Sequence, residues 1–160
     1  INTGQTITIK DIKVETFTKC HDAVDPMGVV VSSDGRRLGI LTDLGRSSHL
    51  IEERLKGCHA LIIEFNHDVS MLDEGPYPLY LKKRIKGSDG HLSNMQAAEL
   101  LRKLYHEDMT LIVLAHLSKV NNVDSIACRE AEKALHHQNG NNSKIIISHQ
   151  DAPTPMLHLG

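Results

Sequence analysis

The chain has 160 residues, 40% of them apolar, with a formal net charge of −2 and a pI near 6.6. That is one domain's length with enough apolar material for a core, and it argues against a strongly basic nucleic-acid coat or an acidic solvating tail. Aromatic residues are only 3% and Trp is absent, which argues against a module built on base-stacking platforms. The three cysteines, Cys20, Cys58 and Cys128, are far apart and form no C-x-x-C pair. They suggest neither a disulfide framework nor a thiolate zinc site, and a cytoplasmic setting is expected. No apolar run approaches the ~18 residues of a membrane span and no signal-peptide pattern is seen, so no membrane partner is expected.

In chain order, residues 6 to 17 alternate apolar and polar side chains and read as one or two strands. Two short strands, 28 to 33 and 37 to 42, flank Asp34-Gly35, a hairpin signal, and place Asp43 at a strand end. Ser47 or Ser48 caps a short helix that runs to Lys56 and stops at Gly57. Ala60 to Glu64 is a buried-type strand. Residues 69 to 90, broken by Gly75-Pro76 and Pro78, read as loop, with a basic stretch of Lys82, Lys83, Arg84 and Lys86. Ser93 and Gln96 have the spacing of a capping box, and the helix they open runs to about His106. Leu111 to Leu114 is a continuous apolar strand that delivers His116. A second helix spans Val123 to about His137 and is closed by a turn at 139 to 142, before a last strand at 145 to 148 and an extended tail. Hairpin strands followed by alternating strands and helices predict an α/β layer with mixed pairing.

Histidine is the compositional outlier, at 11 residues. Three histidine islands lie at the ends of apolar runs or beside a glycine: His21-Asp22-Ala23, Gly90-His91-Leu92-Ser93-Asn94 and Ala115-His116-Leu117-Ser118. A fourth island, Leu41-Thr42-Asp43-Leu44-Gly45, adds a carboxylate. Three imidazoles and a carboxylate converging at strand ends would bind a divalent metal, usually to activate water. Taken singly, His21 and His116 also read as loop histidines bonded to backbone, and Asp43 as a turn cap. Glu64-Phe65-Asn66-His67-Asp68 reads either as a solvated loop or as carboxylates and amides that orient ligand histidines. His91 precedes a helix start, where it can flank the helix, donate a proton or meet a phosphate.

The order of these segments resembles the metallo-β-lactamase superfamily and, within it, the WalJ/YycJ-type hydrolases. The likeness rests on His-Asp-Ala-x-Asp-Pro-x-Gly at 21 to 28, Thr-Asp-Leu-Gly at 42 to 45, Glu64 with Asn66-His67-Asp68, Gly90 to Asn94, and Ala115 to Lys119 with Asn121-Asn122. The resemblance implies an αββα sandwich and a hydrolase, a phosphodiesterase or nuclease, working through a hydroxide that bridges two divalent metal ions. Zinc is the first choice of metal, with manganese or iron as alternatives. His21 would bind one metal, His116 the other, and Asp43 would bridge them. His91 would neutralise or protonate the departing oxygen, with Glu64 and His67 in support. The partner would be nucleic acid or another phosphodiester, and the basic stretch would contact its backbone or be a solvated face.

The superfamily's H-x-H-x-D-H motif does not occur in this sequence, which begins at Ile1. Residues 1–160 are therefore expected to be a single, incomplete domain, mainly the C-terminal half of the sandwich, with a mixed sheet and helices on one face. Two other readings stand beside the nuclease. One is a metal-dependent hydrolase of a small phosphodiester or thioester. The other is a non-catalytic half-domain acting as an interaction unit, which would form homo-oligomers through the sheet face left bare.

Overall fold

The computed structural model describes residues 1–136 and 143–159. The alternating run near the N-terminus forms β1 (Thr6–Ile9) and β2 (Ile12–Thr18), divided by a turn in which Lys10 takes a φ of 57°. β3 (Met27–Ser33) and β4 (Arg36–Leu41) are joined through Asp34 and Gly35, with φ of 48° and 76°. Two successive positive values match the right-handed twist of a hairpin, and Gly35 adopts its value without a Cβ penalty. β5 (Ala60–Glu64), β6 (Leu111–Ala115) and β7 (Lys144–Ile147) complete one seven-stranded sheet whose spatial order is the chain order. Pairing is antiparallel from β1 to β4 and parallel from β4 to β7. The change follows from the connections: tight turns reverse the chain, and helical crossovers return it to the same edge.

The crossovers carry α1 (His49–Leu55), then α2 (Val69–Glu74), α3 (Leu79–Lys86) and α4 (Asn94–Leu104), and finally α5 (Asp124–Leu135). Ser48 caps α1 through the amide of Ile51, and Ser93 with Gln96 forms the expected capping box of α4. The turn expected at 139 to 142 lies outside the described residues.

The expectation of a loop from 69 to 90 is corrected: that segment holds α2 and α3. Asp68 caps α2 by accepting from the amide of Met71 at 3.0 Å. Pro78 stands at the N-cap of α3, where a proline interrupts no helical hydrogen bond. Lys83, Arg84 and Lys86 lie in the last turn, beside the negative end of the helix dipole. α3 buries none of its residues, so it lacks the apolar stripe by which a helix is read from sequence.

Helices α1, α4 and α5 cover one face of the sheet. Phe17, Leu61, Ile63, Ile112 and Leu114 meet Ile51, Leu55, Leu101 and Leu135 there in the main core. The other face is also apolar. Ala60, Leu111 and Val113 form a smaller cluster with half-buried Leu38, Ile62 and Ile146, touched by Leu157 and Leu159 of the tail.

A buried polar knot ties the helices to the sheet edge. The Asn122 amide nitrogen donates to the carbonyls of Phe65 and Asn66 at 2.8 and 3.1 Å and to Asn94 Oδ1 at 2.9 Å. Its oxygen accepts from Asn94 Nδ2 and from the amide of Val123. Replacing Asn122 by Ala strands several buried groups without water. Because an unsatisfied buried group costs about 1–3 kcal/mol, N122A is expected to lower the unfolding free energy by about 2–4 kcal/mol in urea titrations. A loss below about 0.5 kcal/mol would refute the knot's structural role.

Candidate metal centre

Strand direction assembles the site. β2 runs the same way as β4, because each is antiparallel to β3, and β4, β5 and β6 are mutually parallel. Four strands therefore end at one edge, where open α/β sheets present ligand-binding groups. His21 follows β2, Asp43 follows β4, Glu64 ends β5 and His116 follows β6, while His91 arrives from the turn before α4. Asp43 and His116 both take a φ of 56°, the left-handed conformation that Asp and His adopt more readily than most side chains. The ammonium of Lys19 donates to the carbonyls of Thr42 and Asp43, which holds the first of these turns.

Glu64 is the centre of the hydrogen bonding and is fully buried. Its Oε2 accepts from the Asp43 amide at 2.6 Å, from His116 Nδ1 at 2.7 Å and from His91 Nδ1 at 3.2 Å. Its Oε1 accepts from the Leu92 amide at 2.7 Å. Burial alone would raise the Glu64 pKa, but the bonds from His116, His91 and Leu92 bring it down to about 2. The same bond raises the pKa of His116. Donation from Nδ1 leaves Nε2 of both histidines as the free ring nitrogen. His21 is tethered in the same sense, Nδ1 to the Gly90 carbonyl at 3.1 Å.

Asp43 Oδ1 lies 3.6 Å from His116 Nε2 and 3.8 Å from His21 Nε2. The three imidazoles sit side by side, with ring centroids 5.1 Å apart from His21 to His91 and 5.0 Å from His91 to His116. Ligand atoms of Asp43, Glu64, His91 and His116 all fall within 4.8 Å of one another. The donor set fits a divalent metal: imidazole Nε2 atoms whose Nδ1 is fixed by a carboxylate or carbonyl, next to a carboxylate oxygen. The spacings around Asp43 are close to the ~3.4 Å that separates neighbouring ligands at ~2.1 Å around a tetrahedral ion. Glu64, whose oxygens all accept from protein donors, anchors the imidazoles rather than offering an open ligand atom.

The structure thus brings together His21, Asp43, Glu64, His91 and His116. His67 is placed differently. It is buried, its Nδ1 has no protein partner, and burial pushes its pKa down to about 4, so the ring is neutral. Its backbone supports the site, accepting from the Asn94 amide at 2.8 Å and bridging to Ser93.

Sequence reading missed Lys19, whose bond to the Asp43 turn leaves no local signal. It also missed the reason for two of the motif glycines. A Cβ on Gly45 would collide with the Ser88 carbonyl and the Gly90 amide, and one on Gly90 with the carbonyls of Arg84 and Ile85. The basic stretch is largely engaged within the protein: Lys82 and Lys86 bond Asp73, and Arg84 Nε bonds Asp22 at 2.5 Å, pinning α3 to the His21 loop. Two clefts flank the segment His116 to Lys119, of about 840 and 430 Å³, and the smaller also reaches His91.

A family model described as a β-lactamase superfamily domain matches residues 1–116. The chain belongs to that superfamily. Among curated relatives it is 37% identical over 132 residues to a protein named exodeoxyribonuclease YycJ from Bacillus anthracis, covering 82% of this chain and 50% of that one. It is 33% identical over 159 residues to exodeoxyribonuclease WalJ from Streptococcus pneumoniae, covering 98% and 59%. The chain thus spans half or somewhat more of the length of these relatives. Among solved structures, the metallo-β-lactamase fold protein YhfI from Bacillus subtilis matches with a TM-score of 0.65 at 14% identity, over 92% of this chain and 51% of that one. This confirms the expected fold class.

Two outcomes follow from the geometry. In E64Q the amide can offer only one oxygen and turns an NH₂ toward donors. Unfolding titrations should therefore show a loss of about 3 kcal/mol or more; a change within ~0.5 kcal/mol would refute the anchoring role. For His67, the folded-state pKa of about 4 lies below the ordinary 6.5. The unfolded chain therefore takes up the proton first, and stability drains as pH falls from about 6.5 toward 4. H67L should flatten that limb of a stability-against-pH curve, and an unchanged limb would contradict the assignment.

Proposed function

We propose that this chain forms the larger part of the catalytic centre of a metal-dependent phosphodiesterase, a nuclease acting on DNA. The observation that carries the reading is the convergence of His21, Asp43 and His116 on open ligand positions around one buried carboxylate. It occurs in a chain that shares 37% identity with an exodeoxyribonuclease. Two divalent ions, zinc first and manganese or iron as alternatives, would supply Lewis acidity at the phosphodiester and lower the pKa of an attacking water. Asp43, which lies between His21 and His116, would hold both ions, with His21 holding one and His116 the other. His91, its Nδ1–H held by Glu64, would give a proton from Nε2 to the departing oxygen as an imidazolium whose charge Glu64 offsets, and would be left as the Nδ1–H tautomer with Nε2 free. Glu64 fixes both rings, and His67 supports that edge from the interior.

Three ligands do not complete two coordination shells. Residues 1–160 are accordingly proposed as one incomplete domain, with the remaining ligands and a second sheet supplied from outside this sequence. The half-buried residues Leu38, Ile62 and Ile146, against which Leu157 and Leu159 of the tail pack, would be the seat for that sheet once the tail gives way, and self-association through the same face is the competing use. A cytoplasmic setting agrees with three free cysteines. No helix among the described residues is long and apolar enough to cross a membrane.

The test uses the full-length protein. Metal analysis should give about two ions per chain, and D43A and H116A should each reduce metal content together with cleavage of DNA. The fall in metal affinity should exceed the ~10–100-fold typical of losing an outer partner. Variants that keep full metal content would remove the ligand assignment. A steep fall of binding with salt marks a polynucleotide substrate, and a flat response would favour a small phosphodiester.

A further inference from the structure

The chain has two Phe, three Tyr and no Trp. Phe17 and Phe65 are fully buried, and Tyr105 packs against the main core. The two rings left over, Tyr77 and Tyr80, both stand at the start of α3, beside the candidate centre. Tyr80 is 74% exposed. Tyr77 lines the cleft of about 430 Å³ whose floor carries His91 and His116. That volume is in the range of small-ligand sites.

The lining of that cleft is mixed: aliphatic side chains accompany Tyr77, and polar groups include Asp22, Asn66 and two cations that each hold a carboxylate partner. Leu81 and Ile85 line the same cleft, one helical turn apart on α3, so they share a face. Arg84 lines it from that face, oriented by Asp22, and Lys119 lines it from the segment after β6, paired with Asp151 at 2.8 Å. An aromatic ring with two aliphatic neighbours offers a surface for a flat base. The guanidinium and ammonium line the same cleft as His91 and His116, within reach of a phosphodiester if their carboxylate partners yield.

We propose that Tyr77, with Leu81 and Ile85, forms a nucleobase subsite that takes the base of the terminal nucleotide, next to the scissile phosphate. Arg84 and Lys119 face the backbone. This inference rests on the nuclease reading above. It assigns strand recognition to the α2–α3 segment, a different element from the sheet edge that carries the ligands. Recognition by one ring next to the reacting phosphate suits removal of nucleotides from an end, because the rest of the strand needs no platform.

The experiment compares full-length wild type, Y77A and Y77F on single-stranded oligonucleotides. Their terminal nucleotide is either intact or abasic, placed at each end in turn. Loss of base–aromatic stacking should raise KM for the intact strand about tenfold or more in Y77A. Y77F should keep the wild-type value, and kcat should change little. On the strand with the abasic end that occupies the cleft, wild type and Y77A should have equal KM. Anisotropy of a labelled strand in EDTA supplies a second readout that does not need the metals, with the same expected order. A Y77A enzyme matching wild type on intact strands would overturn the subsite and leave the nuclease reading standing. An equal loss on intact and abasic strands would do the same. A wild type that neither binds nor cleaves DNA would overturn both.

Discussion

The rest of the centre depends on one buried carboxylate. Taking a carboxylate fully out of water is costly, and the group normally answers by binding a proton unless donors replace its hydration. Glu64 meets four: two backbone amides and two imidazole N–H groups. They come from the segment after β4, the segment after β6 and the turn that opens α4. The ionised state of Glu64 and the relative placement of these three segments are thus one condition. If any segment withdraws, the charge loses a donor in a low-dielectric site, where such bonds are strongest. The charge also sets the chemistry of its neighbours. It draws the Nδ1–H tautomer at His91 and His116 and leaves Nε2 of each for other work.

Topology makes that condition reachable. A sheet of hairpins alone would send alternate strand ends to opposite edges. Here β2 shares the direction of the three strands β4, β5 and β6 that the helical crossovers align, so four chain segments leave the sheet at one side. The loops must then pack closely enough for side chains from different strands to meet. Gly45 and Gly90 allow this, since a Cβ on Gly45 would strike the backbone of the 88–90 loop and one on Gly90 the backbone of α3. The left-handed residues Asp43 and His116 turn the chain immediately past strands β4 and β6, so the site is built on rigid strand ends.

What was legible in the sequence was what local pattern encodes. β5 and β6 are uninterrupted apolar runs, and the polar residues that end them read singly as loop residues or site residues, with the order of the five segments favouring the second. The capping box of α4 and the Asp34-Gly35 hairpin are short-range chemistry, visible without any tertiary knowledge. The segment α2–α3 was not legible. Pro76 and Pro78 suggested breaks, and α3 buries nothing, so its helical character has no periodic apolar signature. His67 is grouped with Glu64 by the resemblance of Glu64 with Asn66-His67-Asp68 to a family segment. The structure separates them, sending the Glu64 carboxylate into the cluster and the His67 ring into the interior. Lys19, and the choice of Arg84 rather than Lys83 as the partner of Asp22, rest on contacts between residues more than twenty positions apart, which one sequence does not reveal.

The position of Glu64 within its strand links the centre to the second face of the sheet, where the tail packs. Side chains alternate along a strand, so Glu64 shares a face with the apolar positions two and four residues earlier, Ile62 and Ala60. Those two belong to the apolar cluster on the side without helices. The candidate cluster therefore sits at the rim of the face against which Leu157 and Leu159 of the tail pack. On the proposed reading, a sheet that replaces the tail over Leu38, Ile62 and Ile146 would bring its own edge toward Asp43, His21 and His116. Burial of the apolar face and completion of the coordination shells would be one event, and desolvation of that rim would strengthen every bond to Glu64. A chain with this centre but without a cover on that face would hold its imidazoles in the right tautomer and still bind metal weakly, because orientation is supplied from the helical side and closure from the other.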